Sequence, residues 1–231
     1  MIQIQFQILR RDSSESQPYW QKFSFKTENQ TMTVATALTE LNRTLEKPVK
    51  WECSCLQKKC GACAMRINQK PRLACDAVLT EFSKSGKIIL EPLKKFPVIA
   101  DLIIDRSILF ENLKTLKLWF EEDAKTYGSE IAYEASRCLQ CGCCLEVCPN
   151  FSAESKFLGM SSAVPVARLF TNLPDVQKQE LFQAYRNHIY EGCGKSFACR
   201  NICPAGIAIE KLLVNSNAVA IWKRKPKQYE K

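Results

Sequence analysis

The first nine residues alternate apolar and polar through Ile2, Ile4, Phe6 and Ile8, the period-two pattern of a half-buried strand. A polar segment over residues 12–17 separates it from a second alternating run over residues 20–26, which predicts a hairpin. Between residues 33 and 41 the period lengthens, and Val34, Ala37, Leu38 and Leu41 share one face of a predicted helix. Short strands follow at residues 64–68 and 72–74, joined by Gln69, Lys70 and Pro71, and again at residues 87–91. These pieces make a small mixed sheet packed on one helix. Pro92 and Pro97 then bracket a basic connector, and beyond Ile108 the pattern turns helical, with Leu109, Leu113, Leu116 and Phe120 on one face. Further helices are predicted near residues 130–137, 163–170, 177–190 and 205–221, separated by segments holding cysteine, proline or glycine. The expectation is an α+β chain with one domain over residues 1–106 and an all-helical domain over 107–231, its loops tied down by something other than a large core.

Composition sharpens this picture. Thirteen cysteines stand in 231 residues, an odd count that disulfides cannot fully pair. No apolar leader opens the sequence, and the apolar stretch around residues 98–104 is broken by Asp101, far short of the ~18 residues of a membrane span. A reducing cytoplasm is the expected compartment. The formal charge of +9 is concentrated partly at residues 223–227, a tail expected to be solvated, although thiolates on iron would lower the true balance. Cations are not interleaved with aromatics, so nucleic acid is not an expected partner. With eight glycines and no G-x-G-x-x-G or phosphate loop, neither a flavin nor a nicotinamide has a home here, and substrate chemistry must belong to a partner.

The cysteines fall into three groups. Cys55, Cys60 and Cys63, with the distant Cys75, carry the C-x4-C-x2-C spacing of a plant-type [2Fe–2S] centre. Structural zinc is the bland alternative, but it prefers paired C-x2-C units. Cys53 breaks the register and is set aside. Cys138, Cys141, Cys144 and Cys148, followed by Pro149, match the bacterial ferredoxin run, in which the fourth cysteine ligates the other cluster. Cys143 falls between ligands and is expected to be structural. Cys193, Cys199 and Cys203 repeat that template with Ser196 at its second position. By the crossing rule Cys203 joins Cys138, Cys141 and Cys144 on a [4Fe–4S] cluster, and Cys148 joins Cys193 and Cys199. The latter set has three thiolates and fits [3Fe–4S]; a serine-ligated fourth iron is the alternative, disfavoured because alkoxide is the harder ligand. The sole histidine, His188, excludes a Rieske centre.

This succession of motifs resembles the iron–sulfur subunit of succinate dehydrogenase and fumarate reductase, over almost the whole chain. The resemblance implies a β-grasp ferredoxin-like domain followed by an all-helical ferredoxin domain, and it places the family ligands on the same eleven cysteines. It further implies an electron relay between an FAD-containing flavoprotein and a quinone site at a membrane anchor, with the subunit held peripherally on the cytoplasmic side by its partners. Family members using ubiquinone commonly carry a tryptophan pair after the Cys-Pro and a histidine after the first cysteine of the last group. Here those places hold residues 150–154, without tryptophan, and Gly194. Residues 149–159 look more like the branch working with menaquinone and a di-haem cytochrome b anchor. The same kind of wire in another reductase complex, of the thiol:fumarate or heterodisulfide type, is the competing expectation.

Overall fold

In the computed structural model the opening alternation becomes strand β1, Ile2–Arg10, with Ile2, Ile4, Phe6 and Ile8 buried. It pairs antiparallel with β2, Tyr19–Thr27, in a register running from Ile2 opposite Thr27 to Arg10 opposite Tyr19. Described are residues 1–118, 129–170 and 175–222; Phe120 and the basic tail at 223–227 lie outside them. Contacts divide the chain into two units, Met1–Asp105 and Arg106–Lys231.

In the first unit β2 is an edge strand, and only Phe23 of it is buried. Trp20, grouped at the sequence level with the alternating apolar positions, has the opposite parity from Phe23 and stays 47% exposed. Helix α1, Val34–Thr44, starts where the Thr33 hydroxyl accepts the Thr36 N–H, and it buries Val34, Ala37, Leu38 and Leu41. Strands β3, Ala64–Ile67, and β4, Lys70–Leu73, form a hairpin whose two turn residues, Asn68 and Gln69, both take positive φ. The turn therefore comes earlier than the residue pattern suggests, and Pro71 sits inside β4. That is tolerated because β4 is an edge strand with no ladder on its outer side. Strand β5, Lys87–Glu91, lies between β1, to which it is parallel, and β3, to which it is antiparallel, giving the order β2-β1-β5-β3-β4.

The stretch read as a basic connector, residues 92–97, buries Leu93 and Phe96, and the chain just beyond it is packed as well. Leu93, Phe96, Ala100, Leu102 and Ile104 are buried, and β6, Val98–Ala100, pairs with β7, Ile103–Ile104. Lys94 and Lys95, just before Phe96, give the stretch its basic character. Asp101, between the two strands, is 1% exposed and faces Arg10, also 1% exposed, at 3.0 Å. Its oxygens accept the N–H groups of Arg11 at 2.7 Å and Lys50 at 2.8 Å. Arg10 donates to Gln21 Oε1 at 2.7 Å and to the Pro48 carbonyl at 3.0 Å. Asn42 grips Val49 through both its N–H and its carbonyl, each at 2.8 Å. Residues 48–50, the approach to the first cysteine group, are thus held on three sides.

In the second unit α2, Ser107–Thr115, buries Leu109, and Leu116 beyond its end is also buried; α3, Glu130–Ser136, is capped by Ser129. A single turn, α4, Cys143–Glu146, lies inside the second cysteine group. Helix α5, Met160–Leu169, is buried along nearly its whole length and packs on α2, α3, α4 and α7. Helix α6, Asp175–Tyr185, runs into a π-helical turn, Arg186–Tyr190, and α7 spans Ile209–Ala220. The Tyr185 hydroxyl bonds Asn217 Oδ1 at 2.8 Å, and Phe170 meets the Phe182 and Tyr185 rings edge-on at 5.2 and 5.5 Å.

Removing Asp101 leaves a buried guanidinium unpaired, so Asp101→Ala is expected to destabilise the first unit by about 3–5 kcal/mol, seen as a lower denaturant midpoint. A smaller effect is expected at Glu81, whose carboxylate takes both Nη groups of Arg72 at 2.7 and 3.2 Å and also the Val78 N–H. The Arg72 guanidinium holds this carboxyl below its ordinary value. Its contribution is therefore complete above the unfolded value of about 4.3 and is lost as pH falls through the lower folded value. Glu81→Gln should cost under about 1 kcal/mol at neutral pH, because the pair is partly solvated, and the gap from wild type should close on acidification toward pH ~3.

Candidate iron–sulfur sites

The first group lies on a loop without regular structure, and its shape comes from left-handed residues at Leu56, Lys58 and Gly61, with φ of +52°, +60° and +76°. This backbone turns N–H groups toward sulfur. Those of Gln57 and Lys59 each reach Cys55 Sγ at 3.3 Å, and that of Lys58 reaches Cys75 Sγ at 3.3 Å. The Gln57 and Lys59 donors bring the Cys55 thiol down to about 7. Cys63 enters β3 and Cys75 leaves β4, so the pairing of Ala64 with Leu73 sets them side by side; burial pushes the Cys63 thiol up to about 12. Cys60 contacts Cys55 and completes the set, while Cys53 is exposed and joins none of these contacts.

The second group surrounds a hollow of about 380 Å³ lined by Cys138, Cys141, Cys144 and Cys203 together with Gln140 and Ser161. Gly142, at φ +83°, turns the chain into α4 and thereby carries Cys144 to the hollow. Burial pushes the Cys138 thiol up to about 11 and the Cys144 thiol well above its ordinary value. Cys141 falls to about 7 because the Cys143 thiol donates to it, and its carbonyl accepts the Arg106 guanidinium at 3.2 Å. Cys143 is fully buried and lies outside the lining of the hollow. Its proton is held by that bond to Cys141 and by burial.

The third group lines a hollow of about 330 Å³ with Cys148, Cys193, Cys199 and Ser196. Cys148 therefore faces cysteines more than forty positions away, and Cys203 does the same in the second hollow. Burial raises the Cys199 thiol to about 11. Two glycines keep this wall thin: a Cβ at Gly192 would stand 2.6 Å from Phe157, and one at Gly194 would stand 2.8 Å from Asn150 Nδ2. His188 bonds the Lys156 carbonyl at 3.0 Å and does not line either hollow.

Among the described residues no group of three or more His, Cys, Asp or Glu closes to the spacing of a single ion. The thiols instead face one another around hollows, or, in the first group, around an N–H-rich loop. Thiolates as the donor set, room between them, and backbone donors aimed at sulfur fit iron–sulfur clusters. Gln140, Ser161 and Arg106 went unnoticed in the residue pattern, where each is an ordinary polar residue. One signal could have flagged the first two, a proline inside the α5 pattern four residues after Ser161.

Comparison with known proteins agrees with this chemistry. A 2Fe-2S iron-sulfur cluster binding domain matches residues 5–111, and a 4Fe-4S dicluster domain matches residues 134–207. The succinate dehydrogenase iron-sulfur subunit of Bacillus subtilis (strain 168) is 38% identical over 230 residues, covering 89% of this chain and 88% of its own. The fumarate reductase iron-sulfur subunit of Wolinella succinogenes is 26% identical over 213 residues, covering 86% and 88%. A chain of the Mycobacterium smegmatis Sdh1 complex in the apo form shares the fold, with a TM-score of 0.79 at 21% identity over 96% of this chain and 97% of that one.

The thin wall of the third hollow is open to test. Gly192→Ala drives a methyl into the buried Phe157, at an expected cost of about 1–3 kcal/mol. Iron analysis should show less iron per chain, with the visible absorption of the first centre retained.

Proposed function

The chain belongs to the family of succinate dehydrogenase and fumarate reductase iron–sulfur subunits, and from that membership we propose how its residues divide the work. Cys55, Cys60, Cys63 and Cys75 hold a [2Fe–2S] cluster. Cys138, Cys141, Cys144 and Cys203 hold a [4Fe–4S] cluster, and Cys148, Cys193 and Cys199 hold a [3Fe–4S] cluster. When bound, each cluster takes up and gives back one electron at a time.

The subunit conducts electrons between a flavoprotein partner, where succinate and fumarate interconvert, and a quinone at a membrane anchor. The protein's own contribution is electrostatic. N–H groups of Gln57, Lys58 and Lys59 stabilise negative charge on the Cys55 and Cys75 sulfurs, and buried Met160, Ser161 and Val164 on the wall beside Cys144 shield the second group from water. No helix among the described residues is long and apolar enough to cross a membrane, and we assign membrane attachment to the anchor subunit, on the cytoplasmic side. Menaquinone and a di-haem cytochrome b anchor are the partners favoured by residues 149–159 and by Gly194. The Asn150 side chain occupies the space that a larger residue at position 194 would need.

The observation that carries this proposal is the gathering of eleven of the thirteen cysteines into one N–H-rich loop and two hollows. The intact complex, purified without oxygen, should contain about nine irons per chain and show a [3Fe–4S] EPR signal when oxidised. Ser196→Cys should replace that signal with a second cubane and slow quinone reduction, whereas Cys53→Ser should leave every centre in place. Zinc in place of iron, or loss of the [2Fe–2S] signal in Cys53→Ser, would refute the assignment.

A further inference from the structure

Gln140 stands between two cysteines of the second group, at φ +49°, a left-handed conformation costly for a side chain of its kind. Its amide nitrogen donates twice, to the Ser161 carbonyl at 2.8 Å and to Cys138 Sγ at 3.3 Å. The Ser161 carbonyl is an acceptor only, so the NH2 end of the amide must face it, and a Cys138 thiolate on a cluster would likewise only accept. The amide oxygen is left buried without a partner, a cost this orientation accepts.

The reason the Ser161 carbonyl is available lies in helix α5. Pro165 stands inside that helix and has no N–H, so the carbonyl four residues earlier, that of Ser161, loses its ordinary helical donor. Gln140 supplies the missing bond from outside the helix. Doing so fixes the amide with its second hydrogen on the sulfur of Cys138. On the same wall the Ser161 hydroxyl is buried, 1% exposed, and has no partner among the described residues.

We propose that the Gln140 side-chain amide, locked in place by the carbonyl that Pro165 leaves free, raises the reduction potential of the centre held by Cys138, Cys141, Cys144 and Cys203. The inference rests on that ligand set. One-electron reduction adds a negative charge that spreads onto the thiolate sulfurs, and an N–H donor on one of them stabilises the reduced form more than the oxidised form. Gln140 is a positioning and tuning residue and touches no substrate. Because its donor is anchored by a second bond, the effect does not depend on a mobile side chain finding the sulfur by chance.

The test is an EPR-monitored redox titration of all three centres in the intact complex. Gln140→Met keeps the length of the side chain and removes both donors. It should lower the reduced-to-oxidised ratio of the [4Fe–4S] centre about tenfold at fixed ambient potential, a shift of about 59 mV for a one-electron couple, with the other two centres unmoved. Pro165→Ala leaves Gln140 in place but returns a helical N–H to the Ser161 carbonyl, and should shift the same centre in the same direction by less. An unchanged [4Fe–4S] potential, or equal shifts in all three centres, overturns the proposal; if Gln140→Met fails to retain the centre, Pro165→Ala decides by the same criterion. Cys138→Ser in the same complex separates this failure from that of the ligand set. A [4Fe–4S] signal untouched by Cys138→Ser sinks the ligand assignment and the tuning role with it.

Discussion

A thiol taken out of water resists giving up its proton, and this chain buries thiols in groups. Burial raises Cys63, Cys138, Cys144 and Cys199 above the ordinary range, so none of them is an anion at neutral pH without a counter-charge. Two kinds of compensation are built in. Backbone N–H groups meet the sulfurs of Cys55 and Cys75, and the seven cysteines Cys138, Cys141, Cys144, Cys203, Cys148, Cys193 and Cys199 line two hollows. Iron of the clusters proposed for those hollows would supply the positive charge, which would make cluster binding and the stability of the second unit parts of one equilibrium.

The two units meet this demand with different architecture. In the first, the β3–β4 hairpin brings Cys63 and Cys75 together through strand register, and the loop between Cys55 and Cys63 adopts left-handed turns to expose its donors. The buried Arg10–Asp101 pair and Asn42 hold the chain that leads into that loop. In the second unit α5 is the organiser. It is buried along nearly its whole length, it is entered through Gly159 at φ +73° hard against Leu145, and its Ser161 and Met160 line the hollows. Cys143 is fully buried, and its hydrogen bond is the largest cause lowering the Cys141 thiol. That role as a hydrogen-bond partner is consistent with its absence from the lining of either hollow.

Where the residue pattern misled, the cause was local. Trp20 was grouped by its apolar character although its parity puts it on the solvent side of β2. Residues 92–97 looked like a basic connector because Lys94 and Lys95 stand between two prolines, yet Leu93 and Phe96 are buried. Pro71 looked like part of a turn because proline interrupts a ladder, which costs nothing on an edge strand.

Cysteine spacing, the switch from period two to period 3.6, and the absence of nucleotide-binding motifs are properties of neighbouring residues. They were legible without a structure: a small sheet, a helical region and three sulfur-rich groups. Other features depend on residues far apart in the chain. That Asp101 closes over the end of β1, and that Gln140 reaches the carbonyl Pro165 leaves free, were decided only by tertiary packing. Pro165 marks in the sequence that a helical carbonyl goes without its usual donor, but a backbone carbonyl carries no side-chain identity, so which residue supplies that donor is decided only when the fold brings it within reach.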